Sequence, residues 1–405
     1  MKIVQINTWY GIWSTGKLVE AIHKEMQKKG HESYVLYGRG PKVNDSNVIK
    51  TSSFLEPKIN SVLSRASGYL YGGCCFSTKR IINFLKANKP DIVHLHCTNS
   101  FIVNNFKLLS FLGIGNYKVV LTLHAEYPYT GNCAHSLDCN QWINGCQKCP
   151  NKKRSTRSIL FDNTDKAWLK MYCAFKEIPI RNRKIIAVSN WLKERAQRSR
   201  MFRNDEIDVI LNGIDTTVYN KLACSTLSVS KNDNRKKCLF VVPNFSLDDD
   251  IKGCRDFLSI TRKMEKYENL VFFVVGANRS GFDFSNYKNI EYLGPVFDNE
   301  KLAEIYSNSD ATILLSKRET YSLVTAESIA CGTPVVGYKA GAPETIAYPG
   351  FGCFVKNGDQ EALIDSLCKV LEGKPYFKED ILCFYSSKTM ISRYLSIYDA
   401  LTRNK

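Results

Sequence analysis

The chain has 405 residues, more than a single hydrophobic core usually supports, so two α/β units are expected. Its 44% apolar content suits a globular protein, and no apolar run approaches the roughly 18–20 residues of a membrane-spanning helix. A formal net charge of +17 is silent about fold but points to anionic partners such as nucleotides and anionic lipid.

The opening MKIVQINTWY reads as a strand and not as a signal peptide, which predicts a cytosolic protein whose 15 cysteines, an odd number, are mostly thiols. KIVQIN is a buried strand, TGKLVEAIHKEMQKKG a helix closed by Gly30, and ESYVLY a second strand. The segment GIWSTGKL between them nearly spells a phosphate loop. Its eighth position is Leu18, where a magnesium-ligating Ser or Thr would stand, so an ATPase or GTPase reading is set aside. Two readings of Gly16 stay open: close approach of a helix N-terminus to a diphosphate, or an ordinary strand-to-helix turn.

IINFLKANKP leads into DIVHLH, and NNFKLLSFLG into VVLTLH, so His124 ends a strand. His94 and His96, two apart on their strand, share a face, and Asn99 follows on a loop as a candidate for acceptor contact. Next comes TGNCAHSLDCNQWINGCQKCP. Cys133, Cys139, Cys146 and Cys149 are enough for a tetrahedral structural zinc site; free thiols and disulfides are the alternatives. Residues 152–200 are strongly basic: Lys152, Lys153, Arg154, Arg157, Arg181, Arg183, Lys184, Lys193, Arg195, Arg198 and Arg200 face only Asp162, Asp165, Glu177 and Glu194. A solvated face is one reading and an anionic leaflet another. No nucleic-acid-binding module is recognisable, so nucleic acid is not expected as a partner.

RKIIAVSN, WLKERAQRSR and IDVILNG complete the first alternation, and the polar stretch ACSTLSVSKNDNRKK has the character of a linker. The pattern restarts with CLFVVPN, GCRDFLSITRKMEK, LVFFVVGA, EKLAEIYSNS and ATILLS. Such alternation implies two doubly wound parallel sheets. The boundaries expected are residues 1–222 with 386–405 returning to them, a linker at 223–237, and a second domain at 238–385. Ligands of open α/β sheets sit beyond the strands' carboxyl ends, which predicts a site in the cleft where the two domains face each other. The acidic run Asp248, Asp249 and Asp250 reads as a solvated loop.

After ATILLS comes ETYSLVTAESIACG, then TPVVGYKAGAPE. Glu319 lies in a loop and Glu327 in the following helix. A diphosphate could sit at the helix start beside Tyr321, Ser322 and Leu323, with Glu327 placed to accept from ribose hydroxyls. This stretch resembles the E-x7-E motif of retaining glycosyltransferases of family 4, which have the GT-B fold: α/β, with two Rossmann-like domains. STGKLVEAI, Lys252 followed by Gly253, the strand-end His124 and the cysteine run extend the resemblance, the last to a subgroup of bacterial surface-polysaccharide enzymes.

The resemblance implies retaining, metal-independent sugar transfer from a nucleotide diphosphate sugar, with no cofactor for the chemistry. Lys252 would neutralise the diphosphate, Glu319 would hold the donor sugar and His124 would contact the donor near the transferring sugar. The acceptor would be a lipid-linked saccharide or oligosaccharide, met by a cytoplasmic protein lying peripherally on the inner face of the cell membrane. Two departures stand out: Ala125 replaces the Asp that often follows the histidine, and PNFSLDDDIKG lacks an arginine common in the family. They keep open a second reading, a sugar-nucleotide-binding protein that has lost transfer.

Overall fold

The computed structural model describes residues 1–221, 234–248 and 250–403. Most of the expected linker, and Asp249 of the acidic run, lie outside the described residues. The described chain forms two compact units: Met1–Leu211 together with the chain from Met390 on, and Asn212–Thr389. The division falls earlier than residue 222 because residues 212–221 belong to the second unit. There Ile214 bridges Ser386, and the Tyr321 hydroxyl donates to the Asn212 carbonyl at 2.6 Å.

The first unit is a seven-stranded sheet of β1 (Lys2–Asn7), β2 (Glu32–Tyr37), β3 (Val48–Lys50), β4 (Ile92–Leu95), β5 (Val119–Leu123), β6 (Arg183–Ala187) and β7 (Ile207–Val209). Its order is β3-β2-β1-β4-β5-β6-β7 and every pairing is parallel. The connections hold α1 (Trp13–Lys28), α2 (Glu56–Ser67), α3 (Cys75–Asn88), α4 (Asn105–Ile114), the short α5 (Tyr127–Thr130) and α6 (Lys152–Ser155), α7 (Thr164–Lys176) and α8 (Asn190–Arg198). Parallel strands covered on both faces read as continuous apolar runs, and β4 and β5 are buried at every position. Val19, Ile22 and Met26 of α1 repeat at helical spacing and pack with Ile3, Val35 and Ile92 of the sheet. Each such side chain stabilises the fold by about 1.5–3 kcal/mol.

The second unit repeats the plan with β8 (Lys236–Asn244), β9 (Leu270–Ala277), β10 (Ile290–Gly294), β11 (Ala311–Leu314), β12 (Val335–Tyr338) and β13 (Gly352–Val355), all parallel, in the order β10-β9-β8-β11-β12-β13. Its helices are α9 (Cys254–Lys263), α10 (Asn299–Ser307), α11 (Leu323–Ala330), α12 (Pro343–Ile346), α13 (Gln360–Glu372) and α14 (Asp380–Tyr385). In its core Phe240 stacks on Phe257, which meets Phe272 edge to face.

The last helix, α15 (Ser387–Arg403), belongs to the first unit from Met390 on. It is held there by Tyr394 and Tyr398, whose hydroxyls meet Thr122 at 3.0 Å and His94 at 2.6 Å. No helix among the described residues is long and apolar enough to cross a membrane.

The basic segment is less uniform than its composition suggests. Arg183 is buried and bidentate to Asp205, Lys184 pairs with Glu206 and Asp208, and Arg195 pairs with the fully buried Glu126. These carboxylates lie outside residues 152–200, so they escape a count made along the sequence. Asp162 is engaged too, accepting from the Cys149 N–H at 2.7 Å and from Thr164.

Candidate active site

In each sheet the strand order reverses once, between β1 and β4 and between β8 and β11. Connections leave these neighbours toward opposite faces, opening a crevice at their carboxyl ends where ligands of doubly wound sheets bind. In the second unit Lys252 follows β8 and Glu319 follows β11, so both belong to that crevice.

Gly253 brings them together. Its φ of +75° is a left-handed conformation, and a Cβ built there would stand 2.3 Å from the Leu315 carbonyl oxygen. Only glycine allows the start of α9 to lie so close to the end of β11. The Lys317 N–H then donates to the Ile251 carbonyl, and the Lys252 ammonium reaches a Glu319 carboxylate oxygen at 2.5 Å. Glu319 is also fixed through its backbone, which bonds Ala340 and Ala342. That partner loop is capped by Glu344, whose carboxylate accepts from the Ala340 and Gly341 N–H groups. Glu344 had no role in the sequence reading, although it stands in the quoted GAPE.

Ser322 has φ 117°, a strained conformation outside glycine, and its hydroxyl accepts from the Thr325 N–H at 3.2 Å. It is therefore the N-cap of α11. The N–H groups of Leu323 and Val324 lie ahead of the helix's own ladder at its positive end. Both residues are half-buried. Tyr321 is different: its side chain is buried and bonded to Asn212, so only its backbone faces the helix start. Glu327, half-buried on the second turn of α11, accepts from the Tyr306 hydroxyl at 3.2 Å. Tyr219 stands close enough for the Glu327 charge to help raise its phenol well above the usual range, after burial.

In the first unit Gly16 lies in the first turn of α1, where a Cβ would press on Trp9 at 3.2 Å and on the Gly11 nitrogen at 3.4 Å. The missing side chain is thus used by the chain's own loop, which Gly11 closes by donating to the Gly16 carbonyl at 3.0 Å.

His124 directly follows β5 and is 9% exposed. Its Nε2 turns inward to His96 Nδ1 at 3.2 Å, and His96 Nε2 meets Gln5 Oε1 at 3.2 Å. The Gln5 amide nitrogen donates to the Val19 carbonyl, which leaves its oxygen to accept from His96 Nε2–H. A neutral His96 then accepts at Nδ1 from His124 Nε2–H. Burial pushes His124 down to about 4 and lowers His94 and His96 well below the usual histidine value, so all three are neutral near pH 7. His94 binds Tyr398 and Thr122, away from the strand end.

The four clustered cysteines are free thiols lining one cavity of about 20 Å³ with Trp142, Asn132 and Thr164. Burial is the main cause that pushes Cys133 up to about 12 and raises Cys146 and Cys149; charges on neighbouring thiols add to it. Among the described residues no three His, Cys, Asp or Glu side chains are arranged as a metal's cage. The loop is anchored through Glu126, which accepts from Arg195, Tyr129 and Ser136.

Known proteins resemble the chain in sequence and fold. Residues 236–373 match the family model described as "Glycosyl transferases group 1" and residues 15–218 the one described as "Glycosyltransferase Family 4". The chain is 22% identical, over 99% of its length and 100% of the relative's, to a protein of Escherichia coli (strain K12) named as a colanic acid biosynthesis glycosyl transferase, WcaC. A glycosyltransferase structure from Rickettsia africae aligns with 100% of this chain and 99% of its own at TM-score 0.66 and 17% identity. HepE of Anabaena, solved in complex with UDP, covers 99% of this chain and 100% of its own at TM-score 0.60 and 12% identity. The two parallel sheets, each with its helices, are thus those of the GT-B fold, and the chain belongs to glycosyltransferase family 4.

Proposed function

We propose that this glycosyltransferase moves a sugar from a nucleotide diphosphate sugar to an acceptor hydroxyl with the anomeric configuration retained and without a metal ion. The observation that carries the reading is the Lys252–Glu319 pair at the β8/β11 crevice, beside the capped start of α11. The paired charges neutralise one another when no donor is present. A diphosphate, doubly negative, would draw the Lys252 ammonium toward itself and release the Glu319 carboxylate to accept from hydroxyls of the transferring sugar. The Leu323 and Val324 N–H groups would meet the same diphosphate, and Glu327 the ribose. Charge growing on the leaving diphosphate would be stabilised by these donors, and its oxygen would take the acceptor proton on the face that the leaving group vacates. His124, at the end of β5 in the first unit, would be present as a neutral ring of fixed tautomer.

The acceptor in this reading is a lipid-linked or oligosaccharide precursor of a surface polysaccharide, reached by a protein lying peripherally on the inner face of the membrane. WcaC, named for colanic acid biosynthesis, supports the polysaccharide. HepE, solved with UDP, supports a nucleotide as the donor's leaving group. The shared cavity of Cys133, Cys139, Cys146 and Cys149 supports a structural zinc there, provided that the thiol rotamers close around the ion. One zinc per chain by native mass spectrometry is expected; a metal-free, fully folded protein would end that proposal.

A thermal-shift screen with uridine, guanosine and adenosine diphosphates tests the donor site. At least one should raise the melting temperature of the wild type by mass action, and Lys252→Ala should abolish most of that rise. No response to any of the three would sink the reading. The alternative, a sugar-nucleotide-binding protein without transfer, draws on Ala125 and the missing arginine, and predicts the same thermal shift with no donor turnover.

A further inference from the structure

Helix α2 is turned inside out. The stripe facing the protein is polar: the Glu56 carboxylate accepts from the Phe76 and Ser77 N–H groups, Asn60 accepts from the Cys74 N–H at 3.1 Å, and Ser64 is buried. The opposite stripe is apolar and lies in the open. Ile59, Val62 and Leu63, with Phe54 and Leu55 just before the helix, are each more than half exposed. The ridge continues onto a second segment. The Ile159 and Phe161 N–H groups donate to the Arg65 and Ala66 carbonyls at the end of α2, and Ile159, Leu160 and Phe161 are again more than half exposed. An apolar surface of this extent on a soluble unit marks an interaction site.

The charge around the ridge identifies the partner. Residues 51–80 and 151–170 hold ten Lys and Arg against three Asp and Glu, and Glu56, one of the three, is already committed to capping α3. The cations fringe the apolar side chains: the Lys58 ammonium lies 3.8 Å over the Phe54 ring, Lys170 5.0 Å over Tyr69, and Lys152 donates to the Leu160 carbonyl. Long basic side chains beside an apolar helix face match a bilayer surface, where the apolar stripe enters the headgroup boundary and the ammonium groups stay with lipid phosphates.

We propose that α2 and residues 159–161 form a docking ridge for an anionic lipid bilayer. The proposal rests on the reading of a lipid-borne acceptor only for its purpose. Cosedimentation with vesicles of phosphatidylcholine containing phosphatidylglycerol tests it, using the full chain and a doubly substituted variant, Ile59→Gln with Leu63→Gln. The wild type should sediment with these vesicles and stay in solution with phosphatidylcholine alone. The variant's partition should fall about tenfold or more while its circular dichroism and melting temperature are unchanged. Equal binding of variant and wild type, no binding by the wild type, or equal binding to both vesicles would overturn it. So would sedimentation velocity showing that the same substitutions dissociate a dimer, which would give the ridge to a second copy. Because no sugar transfer is read, failure here would leave the donor site untouched, and failure of the donor site would leave the ridge.

Discussion

Glu319 and Glu327 are eight positions apart in sequence, yet their surroundings differ, and so should the effects of losing them. Glu319 is held by Lys252 and by a backbone bridge to Gly341, the setting of a group that changes partner as charge moves. Glu327 is held by the Tyr306 phenol on a helix, a fixed acceptor. Glu319→Gln should therefore lower kcat more than it weakens donor binding, whereas Glu327→Gln should chiefly raise the donor KM. Steady-state kinetics with saturating acceptor separate the two, and loss of affinity alone in both variants would refute the split. The histidines supply a second residue-scale prediction. His124 in the folded protein titrates at about 4 against an ordinary 6.5, because burial disfavours its cation. The unfolded chain binds more protons between those values, so this contribution is complete above about pH 6.5 and is lost as the pH falls toward about 4. The urea midpoint should drop between about pH 7 and about pH 5, above the main carboxylate range, and drop less in His124→Asn. A midpoint flat across that interval in the wild type would contradict the buried neutral network.

At the scale of elements, the turn from β8 into α9 is the piece on which the proposed donor site depends. Gly253→Ala would place a Cβ against the Leu315 carbonyl in a conformation that alanine disfavours. A loss of about 2–4 kcal/mol in stability is expected from urea unfolding, with weaker nucleotide binding in the fraction that stays folded, because Lys252 moves with the turn. Unchanged stability would show that the close approach is not required. This turn was legible in sequence as a lysine followed by glycine between a strand and a helix. The strand ends carrying His124 and Glu319 were legible for the same reason, since apolar runs of parallel strands stop abruptly. Helix α2 was not legible: Pro57, Asn60, Ser61, Ser64 and Ser67 weaken its helical signal, and its polar stripe is the buried one. The inward turn of His124 and the pairing of Glu126 with Arg195 depend on partners 28 and 69 residues away, which local pattern does not carry.

For the whole molecule, two sheets with the same reversal of strand order give two crevices of the kind that hold nucleotides, and the second carries the lysine, the glutamates and the capped helix start. Family membership accounts for the architecture, and the residues of this chain account for how its donor would be gripped. In the proposed donor site, the lack of an arginine in PNFSLDDDIKG would leave more of the phosphate charge to Lys252. Transfer by the proposed route requires the diphosphate to take Lys252 from Glu319. The most direct test follows the anomeric proton by NMR while the protein is incubated with uridine, guanosine and adenosine diphosphate sugars in the presence of a chelator. One donor should be consumed, and the sugar first released or transferred should keep the donor's anomeric configuration, with Glu319→Gln abolishing most of the turnover. An inverted product, a strict need for a divalent cation, or nucleotide binding without consumption of any donor would contradict retaining, metal-independent transfer.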